Sequence, residues 1–253
     1  MTNTLRTADF LEAVLPTSGI YFSAQRRGVY WSHEAFQDTT SLAIELKDIS
    51  DNGLDAYYAC ASYKVAKYIN AKGKPKSRTQ ENVLYVKSLW LDIDVKPEGN
   101  HYPDQRLAAE AVKQMCVAVG IPQPNVWVSS GYGLHVYWTL DRDLTTQEWA
   151  PLAELLQRVQ IHHGILADHA LTTDAARILR PVNTFNYKHD KAAQVSGFIQ
   201  GDHLSSDALL EQLQAYCDAN GILPKQRKTK EEIVLSGDLA DLANGMGEYP
   251  PSD

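Results

Sequence analysis

The sequence predicts an α+β fold in which strand-like and helix-like hydrophobic rhythms alternate. From about residue 81 they come in the order β-α-β-β-α-β, the ferredoxin-like or RRM-like arrangement with two antiparallel middle strands. Three stretches carry this reading. ENVLYVKSLWLDIDV (81–95) is a long strand or a bent pair, rich in β-branched and aromatic residues. DQRLAAEAVKQMCVAVG (104–120) repeats Leu107, Ala111, Met115 and Val119 at i+4, and Gly120 stands where a C′ glycine ends a helix. NVWVSSGYGLHVYWTL (125–140) is two strands around Ser130-Gly131-Tyr132-Gly133.

Elements before and after this unit follow from the same rules. ADFLEAVLP (8–16) is a short helix that Pro16 ends, and the aromatic-rich GIYFSAQ and GVYWSHEAF form a hairpin about Arg26, Arg27 and Gly28. SLAIELKDISDNG (41–53) reads as a helix ending near Asn52-Gly53, and DAYYACASYK (55–64) as a strand. The second helix of the unit is TTQEWAPLAELLQRVQIHHG (145–164), with Trp149, Leu152, Leu156 and Val159 on one face and Thr145-x-x-Glu148 as a capping box. Pro151 sits deep for that cap, so the helix is expected to begin a turn later. ARILRPVNTFNY (176–187) is the last strand, and SSDALLEQLQAYCDANG (205–221) is a further helix with Leu209, Leu213, Tyr216 and Cys217 inward. Residues 1–80 thus read as an N-terminal α/β module, 81–200 as the RRM-like unit, 201–221 as a C-terminal helix and 222–253 as a linker or tail.

The 253 residues, 44% hydrophobic and 22% charged, suit one large domain or two small ones with a real core. No apolar run reaches the roughly 20 residues of a membrane span, and the N-terminus has no signal-peptide pattern, so a cytoplasmic protein is expected. Cys60, Cys116 and Cys217 are odd in number and far apart, which argues against a disulfide framework and a cysteine zinc site. The net charge of −7 argues against nucleic acid, but the stretch 64–80 holds Lys64, Lys67, Lys72, Lys74, Lys76 and Arg78 with no acid between them. Such a local positive patch can track a phosphate backbone on an acidic protein, or be a solvated loop.

The chemistry concentrates in SLWLDIDV (88–95). Alternation sends Asp92 and Asp94 to one face and Leu91, Ile93 and Val95 to the other. Two neighbouring carboxylates repel unless a cation sits between them. His135 on the second hairpin strand, Asp168 and Asp174 ahead of the last strand, and then Arg177, Arg180 and Lys188 would share the same sheet face. Carboxylates that hold two divalent ions, with cations and small-residue amides for a triphosphate, are what metal-dependent phosphoryl transfer requires.

In this order, WLDIDV, SSGYGLHVYW and ADHALTTDAARILRPVNTFNYK resemble the motifs of the archaeo-eukaryotic primase superfamily, in its phage- and plasmid-borne primase-polymerase branch. The resemblance spans about residues 80–190. It implies a DNA-templated nucleotidyltransferase that makes primers on single-stranded DNA from nucleoside triphosphates. Asp92, Asp94 and a third acid, Asp168 or Asp174, would hold Mg or Mn ions. His135, Ser130, Gly131 and Gly133 would meet the incoming triphosphate with Arg177, Arg180 and Lys188, while Lys72, Lys74, Lys76 and Arg78 would hold DNA. A helicase domain, following this chain or as a separate partner, and a phage- or plasmid-encoded origin in a bacterial or archaeal cell are further implications; zinc is not expected.

Two departures stand out. The family often has Ser two residues before the histidine, where this chain has Gly133, and its P-G-T turn appears as Val182-Asn183-Thr184. Two other readings compete. A replication initiator or relaxase of the HUH type would need a second histidine beside His135 and a helical tyrosine, for which only Tyr216 stands on a clear helix. A non-catalytic RRM-type nucleic-acid-binding module would stack bases on strand aromatics such as Tyr137. His162, His163 and His169 fit no standard zinc spacing.

Overall fold

The computed structural model describes residues 5–27, 30–189 and 191–224. Most of the expected tail, and Gly28 of the hairpin turn, lie outside the described residues. In chain order the elements are α1 (Thr7–Val14), β1 (Tyr21–Arg27), β2 (Tyr30–Phe36), α2 (Thr39–Asp51), β3 (Asp55–Ala59), β4 (Ser62–Tyr63), β5 (Tyr68–Ile69), β6 (Pro75–Lys76) and β7 (Val83–Asp94). They continue with α3 (Gln105–Val119), β8 (Val126–Ser129), β9 (Gly133–Leu144), α4 (Thr146–His162), α5 (His169–Thr172), β10 (Ile178–Leu179), β11 (Phe185–Asn186), β12 (Ala193–Gln194), β13 (Ser196–Ile199) and α6 (Ser206–Ala219).

The run with the two acids is one strand, β7, and it lies between β9 and β4 in a five-stranded sheet of order β13-β8-β9-β7-β4. Its register with β9 shifts between Val86 and Ser88, where the paired β9 residues are Leu144 and Thr139, so the irregularity is a bulge on the β9 side. A second sheet, of order β10-β3-β1-β2, carries the aromatic hairpin. The two sheets exchange strands. DAYYACASYK breaks after Ala59: β3 stays in the second sheet, and β4 crosses to pair with β7.

The closing strand of the expected β-α-β-β-α-β unit is a correction. Residues 176–187 do not form one strand: Ile178–Leu179 pair with β3 in the second sheet, and Phe185–Asn186 pair with β12 in a separate two-stranded ladder. The position beside β7 belongs to β4, and the far edge beside β8 to β13. An α+β architecture of antiparallel ladders therefore holds, with strands supplied to the central sheet from both ends of the chain.

Packing explains the joint. Phe10 of α1 meets Tyr58 of β3 and Tyr137 of β9 edge-on, with ring centroids 5.5 and 5.9 Å away. The Tyr58 hydroxyl donates to that of Tyr137 at 3.0 Å, so the buried polar ends satisfy each other. Side chains of this size contribute about 1.5–3 kcal/mol each on burial. On the flank, Trp90 stacks on Trp149 of α4 at 5.3 Å.

The helices differ from expectation in two places. In α3 the buried residues are Ala108, Val112, Met115, Cys116 and Val119, one position round from the Leu107–Ala111 stripe. Gly120 adopts φ 78°, the left-handed end that glycine tolerates. Helix α4 begins directly at its capping box, in which Thr145 and Glu148 cap each other reciprocally. Pro151 is accommodated inside α4 at the loss of one backbone donor, and Trp149, Leu152, Leu156 and Val159 are buried as the spacing predicts. Among the described residues no helix is long and apolar enough to cross a membrane.

Candidate active site

Antiparallel pairing places Asp92 of β7 directly across from His135 of β9, and Asp94 across from Gly133. Residues opposite each other share a face, so strand register alone brings a carboxylate to an imidazole 43 positions away. His135 Nε2 lies 3.4 Å from Asp92 Oδ1. The histidine is buried, and its pKa is pushed down to about 4, chiefly by burial. Asp92 opposes that shift, and Arg180 and Arg177 reinforce it. The imidazole is therefore neutral near pH 7, and its contact with Asp92 is not an ion pair. Its Nδ1 is buried with no partner among the described residues.

Arg177 supplies the charge instead. Its Nη2 donates to Asp92 Oδ2 at 2.9 Å, across 85 positions of sequence. The reach is possible because β10, beginning at Ile178, joins the second sheet and carries Arg177 over the central one; the Arg177 carbonyl accepts from the Cys60 amide at 2.8 Å. Asp94 stands further out, with its side chain 60% exposed against 19% for Asp92 and Lys96 Nζ 3.7 Å away.

The other acids are held apart. The Asp168 amide donates to the Asp92 carbonyl at 3.2 Å, but its carboxylate accepts from the Ala170 amide at the start of α5. Asp174 Oδ1 accepts from Gln80 Nε2 and the Ala176 amide, both at 3.1 Å. Among the described residues no three His, Cys, Asp or Glu side chains form a group able to hold a metal ion. Asp92 and Asp94 alone still suit a hard ion such as Mg, which usually takes one or two carboxylates and completes its shell with substrate phosphates and water.

The glycine-rich turn is tightly built. Gly131 has φ 92°, and a Cβ there would stand 2.9 Å from Ala193 Cβ. A Cβ on Gly133 would stand 2.6 Å from the Ile93 carbonyl oxygen and 3.1 Å from Ser130 Oγ. The Ser130 hydroxyl thus lies beside the space that a residue-133 side chain would fill. Asn186 Nδ2 donates to the Ser130 carbonyl at 2.8 Å, and Gln105 Nε2 to the Gly133 carbonyl at 3.0 Å. Asn183 adopts φ 60°, a left-handed conformation that asparagine tolerates better than most residues, and its amide donates to the Val195 carbonyl at 2.8 Å.

The remaining cations divide. Arg180 Nη2 donates to Asp55 Oδ1 at 3.0 Å and to the Tyr57 hydroxyl at 2.5 Å, which ties it to the second sheet. Lys188 is exposed. Lys72, Lys74 and Lys76 are exposed in and beside the β5–β6 turn, where Asn70 Oδ1 accepts from the Lys72 and Lys74 amides. Arg78 leaves that group: its guanidinium turns inward and donates to the Ala176 carbonyl. His163 Nε2 lies 2.9 Å from the Tyr216 hydroxyl, so that tyrosine is engaged within the α4–α6 contact. Sequence reasoning passed over Trp31, which stands on β2 opposite Arg26; the alternation of the hairpin was the available signal.

This fold has solved counterparts. The AEP domain of the primase-polymerase of cyanophage S-2L matches with a TM-score of 0.53 at 14% identity, covering 77% of this chain and 89% of that one. The catalytic domain of primase RepB′, in complex with initiator DNA, matches with a TM-score of 0.53 at 13% identity, over 86% of this chain and 98% of that one. Another structure of primase RepB′ gives 0.50 at 11% identity, over 94% and 68%. No protein-family model matches the sequence, and no curated protein does. The chain has an archaeo-eukaryotic primase-type fold.

Proposed function

We propose that this protein is a DNA-templated primase-polymerase that joins nucleotides on single-stranded DNA in a metal-dependent reaction. The observation that carries the reading is Asp92, flanked on a primase-type sheet by the exposed Asp94, the neutral His135 and the guanidinium of Arg177. Asp92 and Asp94 would hold Mg or Mn, the ions that acidify an attacking hydroxyl and stabilise a departing pyrophosphate. Asp168 remains the preferred third acid, since its backbone already lies against Asp92; Asp174 is the alternative.

The chain's own groups have separable tasks. Neutral His135 has one ring nitrogen to donate and one to accept, so it can bond a phosphate oxygen without adding charge. Arg177 can share its fork between Asp92 and a phosphate, since guanidinium has five donors. Ser130, Gly131 and Gly133 shape the turn beside them, and Arg180 and Lys188 add positive field. Lys72, Lys74 and Lys76 are proposed to guide the DNA.

The test is incubation with single-stranded DNA, labelled nucleoside triphosphates and Mn or Mg. Primer-length products that vanish with chelator support the reading. A covalent tyrosine–DNA adduct would favour the HUH-type alternative, and metal-independent binding without products a non-catalytic module.

A further inference from the structure

Beside Arg177 the surface opens into a cavity of about 340 Å³. Trp31, His33 and Arg78 line one part of it, and Asp174, Arg177 and Ile178 another. It adjoins the candidate active site directly, because the Arg177 that lines it also bonds Asp92. The nature of its walls is mixed. Arg78 and Arg177 each keep a buried Nε with no partner among the described residues, whereas Trp31 offers a large aromatic surface.

Trp31 is unusual within this chain. Its side chain is 44% exposed, while Trp90, Trp127, Trp138 and Trp149 are buried. Tyr57 lies 5.3 Å away at a tilt, and the Arg26 guanidinium 5.9 Å from its ring, so the indole is held in place while much of it stays open. An exposed tryptophan costs hydrophobic free energy that burial would recover. On a face within reach of two arginines it has the makeup of a stacking platform for a base that carries phosphates.

We propose that this cavity is a nucleotide subsite in which Trp31 stacks a nucleobase while Arg78 and Arg177 meet its phosphates. This rests on the primase-polymerase reading and deepens it by naming a positioning residue for the base. Arg78 then belongs to this subsite and not to the exposed lysine turn. The shared ligand chemistry is a nucleobase with phosphate, whose source is either an incoming nucleoside triphosphate or a template nucleotide.

Tryptophan fluorescence tests it, because a base stacked on Trp31 quenches the one exposed indole among the described residues. The wild-type protein is titrated separately with a nucleoside triphosphate mixture and with a short oligodeoxynucleotide, and primer synthesis is measured on the same preparation. Quenching by either ligand that is absent in Trp31→Phe supports the subsite, and the ligand that quenches identifies the source. Trp31→Ala should weaken that ligand by about 5- to 150-fold, with Trp31→Phe within about threefold of wild type because a phenyl ring still stacks. No quenching by either ligand, or equal quenching in Trp31→Phe, overturns the subsite. Synthesis without quenching overturns this inference alone; quenching without synthesis keeps the subsite and removes the primase-polymerase reading.

Discussion

Gly133→Ala isolates the geometry that holds the two strands of the site together. Nothing in the backbone forbids the change, since Gly133 does not have a positive φ. Space does. The added methyl would stand 2.6 Å from the Ile93 carbonyl oxygen and 3.6 Å from Asp94 Cα. An ordinary carbon–oxygen contact needs several tenths of an ångström more, and the obstacle is backbone inside a sheet. Overpacking of this kind costs about 1–3 kcal/mol. For a protein of this size each kcal/mol lowers Tm by about 2–4 °C, giving a loss of roughly 2–12 °C. The end of β7 must shift as well, so nucleotide incorporation should fall by more than the lost stability explains at an assay temperature well below Tm. Thermal unfolding by circular dichroism with single-turnover incorporation reads both. A variant melting within about 1 °C of wild type, with normal incorporation, would refute the close approach.

His135 gives a pH signature. Its folded pKa of about 4 lies below the unfolded value of about 6.5, so the unfolded chain binds the proton first. Its contribution is whole above about pH 6.5 and is lost as pH falls towards 4, about 2–3 kcal/mol by pH 4.5. Urea melts at pH 7 and 4.5 should show that much more acid sensitivity in wild type than in His135→Gln; equal sensitivity would mean the imidazole is not buried neutral. Neutralising Lys72, Lys74 and Lys76 together should flatten the salt dependence of single-stranded DNA binding by about two units of log K per log salt if all three touch phosphate. An unchanged slope would move the DNA path away from the β5–β6 turn. Thr145→Ala should cost about 1 kcal/mol by removing the α4 cap, a Tm loss of a few degrees without change in nucleotide affinity.

What was legible in the sequence was mostly local. The alternation of SLWLDIDV set Asp92 and Asp94 against Leu91 and Ile93, and the solved counterparts bear out the primase-type fold that WLDIDV, SSGYGLHVYW and the Asp168-to-Lys188 stretch suggested. Short-range pattern does not say which sheet a two-residue strand joins. Ile178–Leu179 and Ser62–Tyr63 are placed by long-range packing across the Tyr58–Tyr137 joint, and each went to the sheet that periodicity did not name. The same limit hid the ion pair between Asp92 and Arg177, which depends on that strand exchange. Arg78 reads as one more cation in a basic run; its inward turn follows from a bond to Ala176, 98 positions on. Helix α3 is rotated by one residue because alanine and leucine at neighbouring positions offer two apolar stripes of similar strength, and packing chose between them.

If Asp92 and Asp94 serve nucleotidyl transfer, Asp94→Ala should remove that activity and leave the fold intact. Asp92→Ala would leave the partly buried Arg177 unpaired and confound stability with chemistry. Asp94 is mostly exposed, with Lys96 only at 3.7 Å, so its removal should leave Tm within about 2 °C of wild type. The measurement is the rate of Mn- or Mg-dependent nucleotide incorporation on single-stranded DNA by wild type and Asp94→Ala, each confirmed folded by circular dichroism. Product is expected from the wild type, with a loss of about 10²- to 10³-fold in the variant, the order expected when charge stabilisation at the reacting phosphate is removed. Normal metal-dependent incorporation by folded Asp94→Ala would contradict that role for the two acids.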